Sequence, residues 1–562
     1  EPVTHHSPLA GASDLPHQTE SAAKSQPAKP AADSSDPPWR RTLSAYGPWL
    51  IVLALFLLPL LTYWNTTFHH FGLRDDYSNL CEAHHEPGKI VHFIASHARL
   101  LYGYLLEGSF AQIDSIQGFA WLRLAGALGL GAVSVFLFSL LRQLGWSLVA
   151  AAFVAAMAPL TPPAQVIASW ATAWPYTVAT LLALGGFALA DRISAPWKGF
   201  GWIGAVALVM TSALTYQPNT LFYLFGVAAA LPQRRQESLR CNLRWASAHF
   251  AIVFTGLALA FLTMEILYAT SAFEASARIG FEHDPLGKLW WFIQEPLPNA
   301  LNMFVLNDDE ASTWRAYITG VGIAGLLLLV GMGVEYWRRG WRPGHFWLLM
   351  LVALPPAVYS INLVVADRYA AYRTVFALAS VLLVFLTLSW ENLCGLAGRN
   401  GRWIRLPAYA LAVMAAIVLA RSHAYSLIAA PQGDELAIVE RAASHVVLPP
   451  DRPARIYLVQ PARTDNPVDI SYHDEFGSLS TDNDWLPQKI FEQSVRERFP
   501  KFAEGKPRYE IQVKTTPPAR NEPVDLMIDM RQIRKLGPLY AGPTGLPKNP
   551  SIAKPSPATT LR

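Results

Sequence analysis

Two adjacent carboxylates, Asp75 and Asp76, follow directly on the first long apolar run, inside Gly72-Leu73-Arg74-Asp75-Asp76-Tyr77-Ser78. Acids this close to lipid are costly unless they are used or paired. One carboxylate can take a proton from a hydroxyl nucleophile while its neighbour orients it or helps to hold a divalent cation such as Mg, Mn or Ca. The same residues also suit a plain helix start, with Asp76 or Ser78 as the cap. Arg74 and Tyr77 are the nearest candidates to line a cleft around the pair. Arg99 and His92 follow on one face of an amphipathic segment, 88–107. Arg368 and Arg373 lie in Ala366-Asp367-Arg368-Tyr369-Ala370-Ala371-Tyr372-Arg373-Thr374. Guanidinium groups bind phosphate in a fork, and a helix start adds its own attraction for anions. The alternatives are an Arg99 that merely snorkels to water and an Asp367–Arg pair that staples a loop. Glu282 and His283 are further cleft candidates. Asp308-Asp309-Glu310 is a solvated run or, less simply, a metal group. His473, Asp474 and Glu475 lack a framing motif and are read as loop residues.

These residues need elements to carry them. Hydrophobic residues make up 52% of the 562-residue chain and charged residues 15%, against about 25% charged in an ordinary globular protein. The pattern predicts an α-helical multi-pass membrane protein. About eleven runs fit the length of a span, at 46–65, 118–141, 146–160, 173–191, 200–216, 219–232, 247–268, 316–336, 345–364, 371–390 and 406–428. The third and sixth are short enough to be tilted or broken. Arg40 and Arg41, Arg142, Arg192 and Lys198, Arg234 to Arg244, Arg338 to Arg342, and Arg399 to Arg405 fall in alternate connections. The positive-inside rule then puts the N-terminus in the cytoplasm and the C-terminus outside, in the periplasm of a Gram-negative inner membrane. Segments 66–117, 269–315 and 430–562, with the 367–373 loop, fall on that outer side. The 88–107 segment reads as one interfacial helix. The 286–306 stretch reads as a second interfacial or re-entrant one. Trp64, Trp170 and Trp174 read as interface aromatics.

The expected organisation is a disordered cytoplasmic tail at 1–39, a transmembrane module at 40–430, a small soluble α/β domain at 431–545 and a disordered tail at 546–562. In the α/β part, 455–459, 509–513 and 525–529 have strand character, and 434–445 and 485–499 have helical character. Cys81, Cys241 and Cys394 form no metal-ligand pattern. The runs hold no central acid–base pair and no matching broken helices, which argues against a carrier. No basic, aromatic-interleaved stretch points to nucleic acid.

An acidic pair after the first span, an interfacial helix behind it, then a many-spanned bundle and a soluble outer domain resemble the GT-C superfamily of integral-membrane glycosyltransferases. The likeness covers the layout of residues 45–430 and is most specific at Arg74-Asp75-Asp76-Tyr77. Within the superfamily it is similar to bacterial enzymes that take a sugar from a polyprenyl phosphate. The resemblance implies Asp75 or Asp76 as the base and Arg99, Arg368 and Arg373 around the lipid phosphate. It implies inversion at the anomeric carbon and a glycan, lipopolysaccharide or surface-protein acceptor. Metal use varies across the superfamily. Two rival readings are an O-antigen polymerase or ligase using lipid-diphosphate glycans and a lipid-linked-sugar flippase.

Overall fold

The computed structural model describes residues 38–192, 198–276, 280–307, 314–445, 449, 451–460, 475–483, 485–498 and 509–533. All but residues 38 and 39 of the expected tail at 1–39, the whole expected tail at 546–562, the acidic trio 308–310, and His473 and Asp474 lie outside the described residues.

The chain is mostly helical. Among the described residues, seven helices are long and apolar enough to cross a membrane: Ile116–Gln143, Ala171–Arg192, Lys198–Thr220, Leu239–Ala269, Arg315–Arg338, Phe376–Leu396 and Gly401–Ala443. A bent pair, Leu148–Leu160 with Pro162–Ser169, passes the same test only when its halves are taken together, and they turn by 54° at their junction. Pro159 and Pro162 explain the break, since proline donates no backbone hydrogen bond and crowds the preceding turn. Gly47–Thr62 and Gly344–Ala357 are apolar but shorter.

The expected run at 219–232 is not a full-length helix. Helix stops at Tyr216 (φ −155°, ψ 105°), and Tyr223–Ala230 is an eight-residue helix, buried throughout. This stretch still joins the two ends of the bundle. Gln217 accepts from Arg99 at one end, and Gln233 donates to the Gln143 carbonyl at the other. It is enclosed by protein, which is where broken helix is tolerated at membrane depth. The basic connections meet one another at that second end. Arg235 pairs with buried Glu335 at 3.0 Å, Arg234 bonds Asn242, and Arg338 donates to the Gly395 carbonyl.

The 88–107 segment is not one helix on a surface. It breaks into Lys89–Ala95 and Leu100–Phe110, with Ala98 at φ +59° in the turn. The two pieces fold against each other. Gly103 permits this, because a Cβ there would stand 3.0 Å from the Val91 Cα. Ile90, Val91, Ala95, Tyr102 and Leu106 are buried between them and the bundle. Phe93 and Tyr104 of the same pair remain exposed, so the apolar spacing serves both a packed side and an open one.

The helix Gly401–His423 passes through a π turn at Ala424–Ala429 into Ala430–Ala443 without interruption. A three-stranded parallel sheet follows. Strand β1 (Ala454–Val459) is central, flanked by β2 (Tyr509–Lys514) and β3 (Leu526–Asp529). Ile456 and Leu458 of β1 are buried, and Phe491 of the helix Leu486–Arg498 meets the Tyr509 ring edge-on at 5.5 Å. Parallel strands need crossovers, and the helix supplies the one between β1 and β2.

Candidate active site

The acidic pair is held by its approach loop. Arg123, buried near the start of the helix Phe119–Gln143, donates to the carbonyls of Thr67 (3.1 Å), His69 (2.6 Å) and Phe71 (2.7 Å). Its guanidinium lies 4.0 Å from the centre of the Phe71 ring. Gly72 then passes too close to Phe119 and Tyr77 for a side chain, since a Cβ would meet them at 2.7 and 2.8 Å. Arg74 closes the loop at φ +46°, ψ −111°, and the helix Asp75–His85 begins. Such backbone in a non-glycine residue costs about 1–3 kcal/mol and persists only where its surroundings enforce it.

Asp75 and Asp76 occupy different environments. Asp76 is fully buried; one oxygen accepts from the Leu73 N–H at 2.9 Å, and the other from the Thr172 N–H at 2.9 Å and hydroxyl at 2.7 Å. Burial pushes its carboxyl up to about 6, against the pull of those donors and of Arg123. It ties the helix start to the 171–173 turn. Asp75 is half-buried one position earlier, and its charge reaches Tyr102 together with that of Arg99.

Tyr102 belongs to a buried tyrosine cluster. Its hydroxyl donates to the Thr172 carbonyl at 3.0 Å, and its ring centre is 5.5 Å from that of Tyr176. Tyr176 stacks on Tyr216 at 3.6 Å. The Arg99 guanidinium sits 4.9 Å over Tyr216, and its Nε donates to Gln217 Oε1 at 2.8 Å. Gln217 in turn donates to the Ala98 carbonyl, which fixes the 96–99 turn. The two terminal nitrogens of Arg99 meet no acceptor among the described residues. Arg373 comes in from the 372–374 turn. It lies 5.2 Å over Trp170 and donates to buried Glu475 at 2.6 Å. Arg99 thus lies on the tyrosine cluster at Tyr216, Arg373 lies over Trp170 beside the 171–173 turn, and Asp75 precedes Asp76, which is bonded to Thr172 of that turn.

The other candidates are engaged elsewhere. Arg368 faces Glu282 at 3.5 Å and Asp284 at 3.4 Å. That loop is pinned to its own by an antiparallel bridge between Phe281 and Val365. Glu282 is therefore a partner of Arg368, and His283 is exposed beside it. Tyr77 is buried, with its hydroxyl accepting from the Gly72 N–H and its ring against Phe119. Arg74 turns away to Ser478. His92 is exposed, with its ring 5.0 Å from Phe273. Both oxygens of Asp76 accept hydrogen bonds, and among the described residues no three His, Cys, Asp or Glu side chains stand close enough to hold a metal.

Sequence reading missed Thr172, Tyr176, Tyr216 and Gln217, which form no motif. It placed Trp170 in an interface belt, whereas Trp170 is buried under Arg373. It left Glu475 as a loop acid, whereas Glu475 is wholly buried as the partner of Arg373.

No family model matches the chain, and no curated protein matches it. Among solved structures it is similar to ArnT from Cupriavidus metallidurans in the apo state, at 14% identity over 83% of this chain and 86% of that one, TM-score 0.41. The same ArnT bound to undecaprenyl phosphate gives 13% identity over 80% and 85%, TM-score 0.39. The Archaeoglobus fulgidus oligosaccharyltransferase complex with Zn and sulfate gives 12% identity over 83% of this chain and 62% of that one, TM-score 0.43.

Proposed function

We propose that the chain is a membrane glycosyltransferase that moves a sugar from a polyprenyl-phosphate donor to an acceptor on the outer side of a bacterial inner membrane. The observation that supports this reading is the 170–173 turn: Thr172 is bonded by Asp76, the neighbour of half-buried Asp75, and by Tyr102 of the tyrosine cluster that carries Arg99, while Trp170 lies under Arg373.

Asp75 takes the proton of the acceptor hydroxyl. The hydroxyl oxygen attacks the anomeric carbon, and the bond from that carbon to the phosphate oxygen breaks with its electron pair left on the phosphate. Displacement in one step inverts the anomeric centre. Arg99 offers its terminal nitrogens to the leaving phosphate, where negative charge grows in the transition state. Arg373 is a weaker cation in this role because Glu475 already offsets it. Asp76 does not touch the reactants; it holds the helix start that aims Asp75. Arg368 is not assigned to the phosphate. Residues 431–545 lie on the acceptor side in this reading.

The test is transfer by the purified protein from a polyprenyl monophosphate monosaccharide, with the product's anomeric configuration determined. An inverted product from the monophosphate supports the proposal. Transfer only from a lipid diphosphate oligosaccharide favours the polymerase or ligase reading. Movement of lipid-linked sugar across vesicles with no covalent product favours a flippase.

A further inference from the structure

The backbone of Arg74 sets the direction of Asp75, and it is held in its unusual conformation from the C-terminal part of the chain. Its N–H donates to the Ser480 hydroxyl at 2.9 Å, and its Nη2 donates to the Ser478 hydroxyl at 2.7 Å. The Ser480 hydroxyl passes its own proton to Gln432 Oε1 at 2.6 Å. Gln432 returns a bond to the Ser478 carbonyl at 2.6 Å. Glu435 accepts from the N–H groups of Ser480 (3.2 Å) and Thr481 (2.8 Å). Gln432, Glu435, Ser480 and Thr481 are all fully buried. Gly477 N–H donates to the Leu427 carbonyl and closes the other end of the segment.

Asp75 is therefore suspended between two anchors. On the bundle side, Asp76 is nailed to Thr172. On the other side, Arg74 is nailed to Ser480. The local bonds across 73–77 hold Arg74 from the helix side, and the Ser480 hydroxyl holds its N–H from the other. We infer that Ser480 is a positioning residue for the reaction, acting through the Arg74 backbone on Asp75, and that segment 475–482 completes the base. The inference rests on the reading of Asp75 as the base. It adds that a distant stretch of chain, 406 residues away in sequence, is part of what aims it.

A hydroxyl that accepts from one side and donates to the other is needed at 480. Ser480→Ala removes both bonds, and Ser480→Thr keeps them. Three readouts follow for both variants: amide hydrogen exchange over 73–77, the transfer rate, and donor binding. For Ser480→Ala the expected result is faster exchange at 73–77, a kcat lowered about 10- to 100-fold, and an unchanged Kd for a polyprenyl phosphate probe. The thermal midpoint falls modestly, since a buried donor and a buried acceptor lose their partner, and Ser480→Thr regains most of the rate and of the stability. The pH profile of kcat also shifts in Ser480→Ala, because the base sits differently. Unchanged exchange, or an unchanged rate and pH profile in a variant that does exchange faster, overturns the inference. So does a parallel fall of rate, donor binding and stability that Thr does not repair, which is the mark of general unfolding. If the unaltered protein transfers no sugar, the proposed reaction fails, while the exchange data still decide whether Ser480 holds Arg74.

Discussion

Asn at position 75 keeps the shape of the side chain and removes its ability to take a proton. Asp75→Asn is expected to cut transfer about 10²- to 10⁴-fold, with a smaller loss of stability than the same change at fully buried Asp76. Asp76→Asn does the opposite kind of damage. Three donors converge on the Asp76 carboxylate, and an amide offers one oxygen and turns a donor toward the rest. An unsatisfied buried donor costs about 1–3 kcal/mol, so this variant loses stability first and activity with it. Assays of transfer and of thermal unfolding on both variants separate the roles; equal loss of activity with equal stability would refute the division. Asp76 also carries a pH signature. Its folded value of about 6 lies above the ordinary 3.8, so the native state keeps a proton that the unfolded chain gives up between those values. Its contribution is largest in acid and is lost as pH rises from about 4 to about 6, by an amount on the order of 3 kcal/mol. Unfolding measured across that window in wild type and Asp76→Asn shows this slope only in wild type if the argument holds.

The folded pair of helices at 89–110 places Arg99 at a turn rather than on a helix face. Three things fix it there: the close pass of Gly103 over Val91, the Gln217 side chain, and the ring of Tyr216. Replacing Arg99 with Gln is expected to weaken lipid-phosphate binding about 10- to 100-fold, the usual worth of one or two charge-assisted bonds. Lys at 99 recovers only part, since it lacks the fork and the planar face. Gln217→Leu weakens binding in the same direction by less. Titration of the three variants with a polyprenyl phosphate probe checks the order; an Arg99→Gln protein that binds as wild type sinks the assignment. This element shows where the sequence was legible. Apolar spacing in 88–107 revealed helix and a buried side, and the acid pair stood out because acids near lipid are rare. The break at 96–99 was not legible, because Ser-His-Ala-Arg contains neither Gly nor Pro and only tertiary contacts force Ala98 to φ +59°. The crossing at 217–233 failed a length test for a related reason: enclosed by other helices, it can be broken where a lipid-facing helix cannot. Strand periodicity at 455–459 and 509–513 was clear, since alternation and β-branched content act locally.

At the scale of the molecule, a buried ion pair joins the bundle to the C-terminal part of the chain. Glu475 has no exposure, and the Arg373 guanidinium lies 2.6 Å away and over Trp170. No local pattern in Glu475 or Arg373 foretells this pair; they are brought together only when segment 475–482 docks beside the 372–374 turn. Removing one partner of a buried pair strands the other, whereas replacing both with apolar groups of similar size is much milder. Glu475→Leu alone is therefore expected to lower stability by about 3–5 kcal/mol, with Arg373→Met alone somewhat less costly because that guanidinium is partly exposed. The double variant should be more stable than Glu475→Leu. Donor binding follows a different order. Glu475 competes with a lipid phosphate for Arg373, so Glu475→Gln, which keeps the size and drops the charge, should tighten binding of a polyprenyl phosphate probe even as it lowers the thermal midpoint. Arg373→Met should loosen binding in the presence or absence of Glu475. Measured together, opposite signs for stability and affinity in Glu475→Gln would identify Arg373 as a cation shared between the fold and the donor. If affinity falls with stability instead, Arg373 belongs to the scaffold alone and Arg99 carries the phosphate.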